Sequence, residues 1–571
     1  MFLLASDFDR TFYINNYDFK RNLKLLDDYM KTNVFVIATG RSYDDYMNVT
    51  KDCIPLNYLV VNHGATIIKD DKVIKSCYIK EKTIEKLKKI FNFNKIEYFA
   101  CHDTDSRVDI NTKNLSKINI TLPDNLIAKK AICYINEHFD DVKAYLLFHK
   151  NQFEIVPIEA NKKNAISYIS KLENIDKGCV YTIGDGYTDF EMLKYFNGYC
   201  MKDSVSELKT IAHTVDSVGN LIDYLSVSIN MEEVSDNLIN FIDNCFDYTN
   251  YFKKYVAKIY CNNKEKNHLV IRKNNNIIAV ALLNANKIYF NNESLNCLCV
   301  GSICVNKNYR KKGYLKMLMG IIEQKAKKYD FKVLSGDYKR YEKYGYYPNI
   351  LNLYHVNAKN NNIEFRNIKK DTDNILKMYQ NSNIHAIRTK DEIINICTQW
   401  QSCAYSIYKN NEFTGYLIYN PKKNYVSEIF DNDIISSLES FAFYKQREYI
   451  NVSILNNDYI NKNKFKNFAF VKSYNRQLYS INNIKRVLEV CLNYKSLYIP
   501  LQKGSLAIKI DNEIIRITSL NSVIIENSDT YDISINRKDL MNILLNKKIH
   551  NNKLLSSWFY LNLDIYNNDL V

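Results

Sequence analysis

The stretch SDFDRTFYINN, residues 6–16, follows the apolar start MFLLA and sets two aspartates, Asp7 and Asp9, two apart, with Thr11 two further on. A short apolar run ending in such a pair reads as a strand delivering carboxylates to a rigid loop. Working outward, VFVIATG (34–40), YLVVNHG (58–64) and CVYTIGDG (179–186) are further β-rich apolar runs that end in polar loops. FKRNLKLLDDYMK (19–31) has helical periodicity, and DFEMLKYF (189–196) reads as a helix start. Short apolar strands joined by helices predict a doubly wound, parallel α/β sheet. The loops after its strands would then share one edge, where ligands bind in such sheets. Between about 68 and 155, segments such as VDINTKNLSKINITL (108–122) and AYLLFHKNQFEIVPI (144–158) predict an inserted α/β cap.

The residue types at those strand ends suit phosphoryl transfer. Asp7 is the expected nucleophile position, and Thr39 and Gly40 can donate hydrogen bonds to phosphoryl oxygens. Lys162 or Lys163, after the strand FEIVPI, would balance negative charge, and Asp185 and Asp189 in GDGYTD add hard oxygen ligands for Mg2+. The four elements, in this order, resemble the haloacid dehalogenase superfamily, in the Cof-like branch with a large cap, over about residues 1–225. The resemblance implies that Asp7 forms an aspartyl-phosphate and that Asp9 is the general acid and base. Thr39 matches the second motif and Lys162 the third. Asp7, Asp185, Asp189 and the backbone carbonyl of Asp9 would hold Mg2+, and the substrate would be a small phosphorylated metabolite. Three positions depart from the pattern: Arg10 where Gly is usual, His63 where Asn is common, and Thr188 where Asn is usual.

With 571 residues the chain predicts several domains. A formal charge of +15 suits anionic cofactors, but the lysines are scattered, so nucleic acid is not the expected partner. The 14 cysteines include no CxxC and read as reduced thiols of a cytoplasmic protein. No apolar run reaches the roughly 18 residues of a membrane span, so no membrane is expected.

The pattern shifts at SVSINMEEVSD (226–236). Beyond it, GSICV (301–305) predicts a strand that leads to a basic glycine loop, Arg310-Lys311-Lys312-Gly313-Tyr314-Leu315, and a helix. Backbone N–H groups of such a loop, at a helix N-terminus, cradle a pyrophosphate. YEKYGYYP (341–348) follows one helix and one strand later. The pair resembles the GNAT N-acetyltransferases, with Leu315 where their acetyl-CoA loop usually has Gly or Ala. By that resemblance Ile303, Cys304 and Val305 pair with the pantetheine arm, and Tyr341 protonates the departing thiolate. The remaining order resembles the Eis-type acetyltransferases: a GNAT domain over 230–356, a second GNAT-like lobe over 360–485, and a sterol-carrier-protein-like α+β domain over 486–571. In that family the terminal carboxylate, here that of Val571, acts as a base, and homo-oligomers are common.

The expectation is therefore a bifunctional enzyme: a Mg2+-dependent phosphatase joined to an acetyl-CoA-dependent N-acetyltransferase of an amine. The alternative is that one module only binds or assembles.

Overall fold

The computed structural model describes the chain apart from residues 94–95, 97, 148–150, 262–264, 456–461, 521, 547–550, 562, 564–568 and 570–571. It forms two units, Met1–Val227 and Ser228–Val571.

In the first unit β1 (Leu3–Ser6), β2 (Val34–Ala38) and β3 (Tyr58–Val61) are followed by β4 (Thr66–Lys69) and β5 (Lys72–Ser76). Next come β6 (Tyr98–His102), β7 (Arg107–Val108), β8 (Lys117–Thr121), β9 (Val142–Leu146) and β10 (Gln152–Pro157). The chain then returns through β11 (Val180–Gly184), β12 (Asn197–Met201) and β13 (His213–Val215). One sheet has the order β13-β12-β11-β1-β2-β3-β4-β5, with β3, β2, β1, β11, β12 and β13 parallel. Every residue of β1, β2, β3 and β11 is buried, as central parallel strands with both faces covered require. The helix Asn16–Met30 starts where Asn15 accepts from the N–H groups of Tyr17 and Asp18, and it buries Asn22, Leu26 and Tyr29.

The second sheet, β7-β6-β8-β10-β9, is antiparallel throughout and covers a core that includes Leu87, Ile118, Ile135 and Phe153. The sequence reading starts the insertion near 68, but β4 pairs with β3 and β5 with β4, as an edge meander of the first sheet. Period-two patterning looks the same in either sheet, so only pairing separates them.

In the second unit β14 (Ser228–Glu232), β15 (His268–Lys273), β16 (Asn276–Phe290) and β17 (Glu293–Val305) form an antiparallel meander. Asn274 and Asn275 both take left-handed backbone in the two-residue turn between β15 and β16. β18 (Phe331–Leu334) then pairs with β17 in parallel. The strand Ala469–Ile481 inserts between β18 and β19 (Tyr347–Asn357), antiparallel to both, so that one 13-stranded sheet runs on from 228 through 481. Beyond it, a four-stranded sheet over 504–535 packs with the helices Ile484–Ser496, Arg537–Asn546 and Lys553–Trp558. No helix among the described residues is long and apolar enough to cross a membrane. All 14 cysteines are free thiols.

Candidate functional site

The adjacent strands β11, β1 and β2 place three loops side by side. Asp7 leaves β1 with its N–H bonded to the Ile183 carbonyl at 2.9 Å, which locks the loop to β11. Asp7, Asp185 and Asp189 are all buried, and one carboxylate oxygen of each lies within 4.8 Å of the others. Lys162, at the start of the helix Lys162–Leu172, reaches into this trio from a buried position. Its Nζ donates to Asp7 Oδ1 at 2.6 Å and to Asp189 Oδ1 at 2.7 Å. Lys163 points elsewhere, its Nζ 5.2 Å from the Tyr195 ring centre. Of the two adjacent lysines, then, only Lys162 joins the carboxylates.

Asp189 is held by two further bonds, its Oδ2 accepting from the N–H groups of Asp185 and Gly186 at 3.0 Å each. Gly184 allows this, because a Cβ there would collide with the Asp189 carboxylate. Burial pushes the Asp7 carboxyl up, with Asp189 and Asp185 adding to the rise and Lys162 opposing it. The Asp185 carboxyl is also raised, by burial and by Asp189. For Lys162, burial works against the charge, yet Asp189 and Asp7 hold its ammonium well above the ordinary range. The three buried carboxylates outnumber the cations beside them, Lys162 and Arg10. Such an oxygen-only donor set fits a hard divalent cation such as Mg2+.

Asp9 stands outside the trio. Its side chain is 48% exposed, and Arg41 grips it with Nε to Oδ2 at 2.8 Å and Nη2 to Oδ1 at 2.7 Å. Arg41 directly follows the Thr39-Gly40 pair, so its place after the glycine was the available signal for a residue that sequence reasoning passed over. Thr39 is buried, and its Oγ1 accepts from the Arg41 N–H at 3.1 Å. Arg10 takes left-handed backbone at φ 59°, which accounts for glycine being favoured at such a position. Its guanidinium lies 3.5 Å from Asp185 Oδ2.

A second buried group braces the loop after β2 from the other sheet. Lys117 on β8 donates to the Gly40 carbonyl at 2.7 Å and lies 3.2 Å from Glu154 on β10. Glu154 also contacts His63 Nε2, and the His63 ring fills the space that a side chain at Gly40 would need. Although burial works to raise it, Lys117 and His63 pull the Glu154 carboxyl down to about 2. None of these partners lies near another in sequence, and sequence analysis singled out only Gly40 and His63.

In the second unit β17 and β18 are paired from Cys297–Phe331 to Val300–Leu334 and then part. Ser302 takes left-handed backbone at φ 47°, and the β16–β17 register slips between the pairs of Val280 and Leu282. Cys304 and Val305 thus keep β16 on one side, Ile303 falls in the slip, and none of the three has a ladder to β18 among the described residues. Gly313, at φ 89°, caps the helix Tyr314–Ala326. Lys311 and Lys312 are exposed, Tyr314 is buried and Leu315 half-buried. Arg310 is engaged locally: Nε donates to the Val305 carbonyl at 3.2 Å and Nη2 to the Cys245 carbonyl at 2.9 Å. Tyr341 is buried, under Gly336, where a Cβ would lie 2.7 Å from its Cε2. Burial raises its phenol, against the nearby Arg340 charge. The open strand edge and glycine-capped helix suit an extended amide arm ending in a pyrophosphate, as in acetyl-CoA.

Val571 lies outside the described residues, but Asp569 is buried. It accepts from Arg388 at 2.7 and 2.8 Å and from the Tyr379 hydroxyl at 2.6 Å, while Arg388 also forks onto Glu428 with two bonds of 2.7 Å.

Known proteins resemble both regions. The haloacid dehalogenase-like hydrolase family matches residues 4–117 and 101–220, and the acetyltransferase (GNAT) domain family matches 229–348. A Buchnera aphidicola protein provisionally named a phosphatase is 27% identical over 238 residues, covering 36% of this chain and 86% of that protein. Two similarly named Mycoplasma proteins are spanned over only 44% and 45% of their lengths. A haloacid dehalogenase-like hydrolase from Bacteroides thetaiotaomicron aligns at TM-score 0.34 and 17% identity, covering 39% of this chain and 98% of its own. A GCN5-related N-acetyltransferase from Anabaena variabilis aligns at TM-score 0.42 and 12% identity, covering 56% and 90%. Residues 4–220 therefore carry a haloacid dehalogenase-like hydrolase domain and residues 229–348 a GNAT acetyltransferase domain, so that a hydrolase and an acyltransferase share this chain.

Proposed function

We propose that the chain is bifunctional: a Mg2+-dependent phosphatase of a small phosphorylated metabolite and an acetyl-CoA-dependent N-acetyltransferase of an amine. The observation that carries the first half is the buried cluster of Asp7, Asp185, Asp189 and Lys162 beside three adjacent strand ends. Asp7, Asp185 and Asp189, with the backbone carbonyl of Asp9, would hold Mg2+, which supplies positive charge to the phosphoryl oxygens when bound.

An Asp7 carboxylate oxygen attacks phosphorus, the ester P–O bond breaks, and Asp9 gives its proton to the leaving alkoxide. Asp9 then takes a proton from water, whose oxygen attacks the same phosphorus, releasing phosphate and restoring the Asp7 carboxylate. Thr39 orients a phosphoryl oxygen, and Lys162 keeps Asp7 aimed.

In the second half, the free edge of Ile303, Cys304 and Val305 would pair with the pantetheine arm, and the loop Arg310–Leu315 would take the pyrophosphate. Tyr341 would protonate the departing thiolate. Residues 360–485 are read as a second GNAT-like lobe and 486–571 as a sterol-carrier-like domain of an Eis-type arrangement, in a cytoplasmic homo-oligomer.

The test is a phosphate-release screen over phosphorylated metabolites beside an acetyl-CoA consumption screen over amines, on the intact chain. Asp7→Asn is expected to abolish phosphate release and spare acetyl transfer. Loss of both activities together would overturn the independence of the two centres. Arg10 beside Asp185 favours a second reading, in which the first centre only binds phosphate. That reading predicts phosphate-ester binding without Mg2+-dependent turnover.

A further inference from the structure

Where β17 and β18 part, the strand ends open into a cavity of about 1050 Å3. One wall is formed by Val300, Gly301 and Ser302 with Val333, Leu334 and Ser335, the residues at and just past the last β17–β18 pair. The opposite wall comes from the 400–474 region, including Trp400, Tyr425 and Tyr474. Trp400 and Gln401 take left-handed backbone at φ 56° and 64°, a strained pair of bulky residues. The Trp400 carbonyl is held there by Asn420 Nδ2 at 2.7 Å. Backbone strain of this kind clusters at ligand-binding sites, which makes this wall a candidate one.

The charge of the lining is one-sided. Lys422, Lys423 and Lys472 line the cavity, and among the described residues no Asp or Glu does. No carboxylate among the described residues pairs with any of the three, whereas Lys307 and Lys409 of the same unit each have one. All three are exposed at the rim, where their field reaches an incoming molecule. None belongs to the basic loop 310–312, so they are not needed for the pyrophosphate.

We propose that the acetyl acceptor is an amine that also carries an anionic group, a phosphate or a carboxylate, on an apolar or aromatic body. The three lysines bind the anion while Trp400, Tyr425 and Tyr474 cover the body, and the amine points to the mouth between β17 and β18. A polyamine meets like charge and, among the described lining residues, no carboxylate. The same field disfavours the protonated amine, and the neutral amine is the form that attacks a thioester. The step balances: the amine nitrogen bonds to the acetyl carbon, the C–S bond breaks, and the amine proton ends on the thiol. This inference rests on the acetyltransferase reading of the second unit.

The experiment titrates the intact chain by calorimetry with tyramine O-phosphate, phenylalanine and spermidine, and repeats it with the variant K422E/K423E/K472E. Binding of the phosphate or the amino acid, but not of spermidine, is expected, with at least tenfold weakening in the variant. Which anionic amine binds separates phosphate from carboxylate. Unchanged acetyl-CoA binding by the variant, together with an unchanged tryptophan-fluorescence melt, shows that it is folded. The proposal is overturned if spermidine binds as tightly as both anionic amines, if neither anionic amine binds, or if charge reversal changes nothing. Acetyl-CoA consumption separates the two levels. Charge-dependent binding of an anionic amine without consumption removes the acetyltransferase reading and leaves the ligand class standing. Consumption with spermidine alone does the reverse.

Discussion

At the residue scale, two side-chain pairings carry the first centre. Lys162 sits between two buried carboxylates, and its ammonium opposes the rise that burial imposes on Asp7. Lys162→Met leaves buried carboxylates uncompensated, a change that costs about 3–5 kcal/mol. A lowered melting temperature is expected in calorimetry with EDTA, recovering in part with millimolar Mg2+ because a ligand of the folded state adds stability by mass action. No recovery would remove the trio as a cation site. Arg41 is the second case: its fork sets the direction of Asp9 at the mouth of the site. Arg41→Ala is expected to lower phosphatase kcat by roughly tenfold, a fraction of what a general acid and base contributes. Arg41→Lys should recover little, since an ammonium cannot reproduce a two-point fork. A change confined to KM would instead place Arg41 in substrate binding.

At the element scale, the loops after β1, β2 and β11 depend on supports that come from elsewhere. Lys117 and Glu154 reach from the antiparallel sheet to Gly40 and His63 beneath the β2 loop. The Glu154 carboxyl titrates near 2 against an ordinary 4.5, so its folded-state value is depressed. Its stabilisation is complete above about pH 4.5 and is lost as pH falls toward 2, amounting to roughly 3 kcal/mol. Glu154→Gln is expected to lower stability at pH 7 and to flatten the stability profile between pH 4.5 and 2, read by urea melts across that range. An unchanged acid slope would mean that other carboxylates set it. On the second unit's helix Tyr314–Ala326, Gly313 holds φ 89°, where a Cβ costs about 1 kcal/mol or more. Gly313→Ala is expected to weaken acetyl-CoA binding severalfold in calorimetry while sparing phosphate release. The carboxylate-bearing loops were legible in sequence because each lies next to an apolar run that fixes its strand. The bracing was not, because Lys117 and Glu154 sit in strands whose alternation says only which face is buried.

At the scale of the whole molecule, the second unit is tied together by a charge cluster assembled from distant parts of the chain. Arg388 is fully buried between Glu428 and Asp569 and lies over the Tyr379 ring at 3.5 Å. Burial works to raise the Asp569 carboxyl, but Arg388 holds it below the usual range. Asp569→Asn leaves Arg388 balanced by Glu428 but weakens its bonds to residue 569, and a loss of about 1.5–3 kcal/mol is expected. The two tryptophans, Trp400 and Trp558, both lie in this unit, so a urea melt followed by tryptophan fluorescence reads it alone. A midpoint that does not move would make the cluster dispensable. The sequence by itself determined the strand-end aspartates, the lysine pair 162–163, the glycine loop at 310–315 and the order of elements around them, and the structure chose Lys162 from that pair. These signals are local, because a buried strand and the loop that follows it are written in adjacent residues. Only tertiary structure decided the Arg41 grip on Asp9, the bracing of the Gly40 loop from the other sheet, the insertion of Ala469–Ile481 between β18 and β19, and the lysine-lined cavity. Each of these depends on which segments meet in space, and pairing partners, burial of charge and cavity walls are properties of contacts that no single stretch of chain contains.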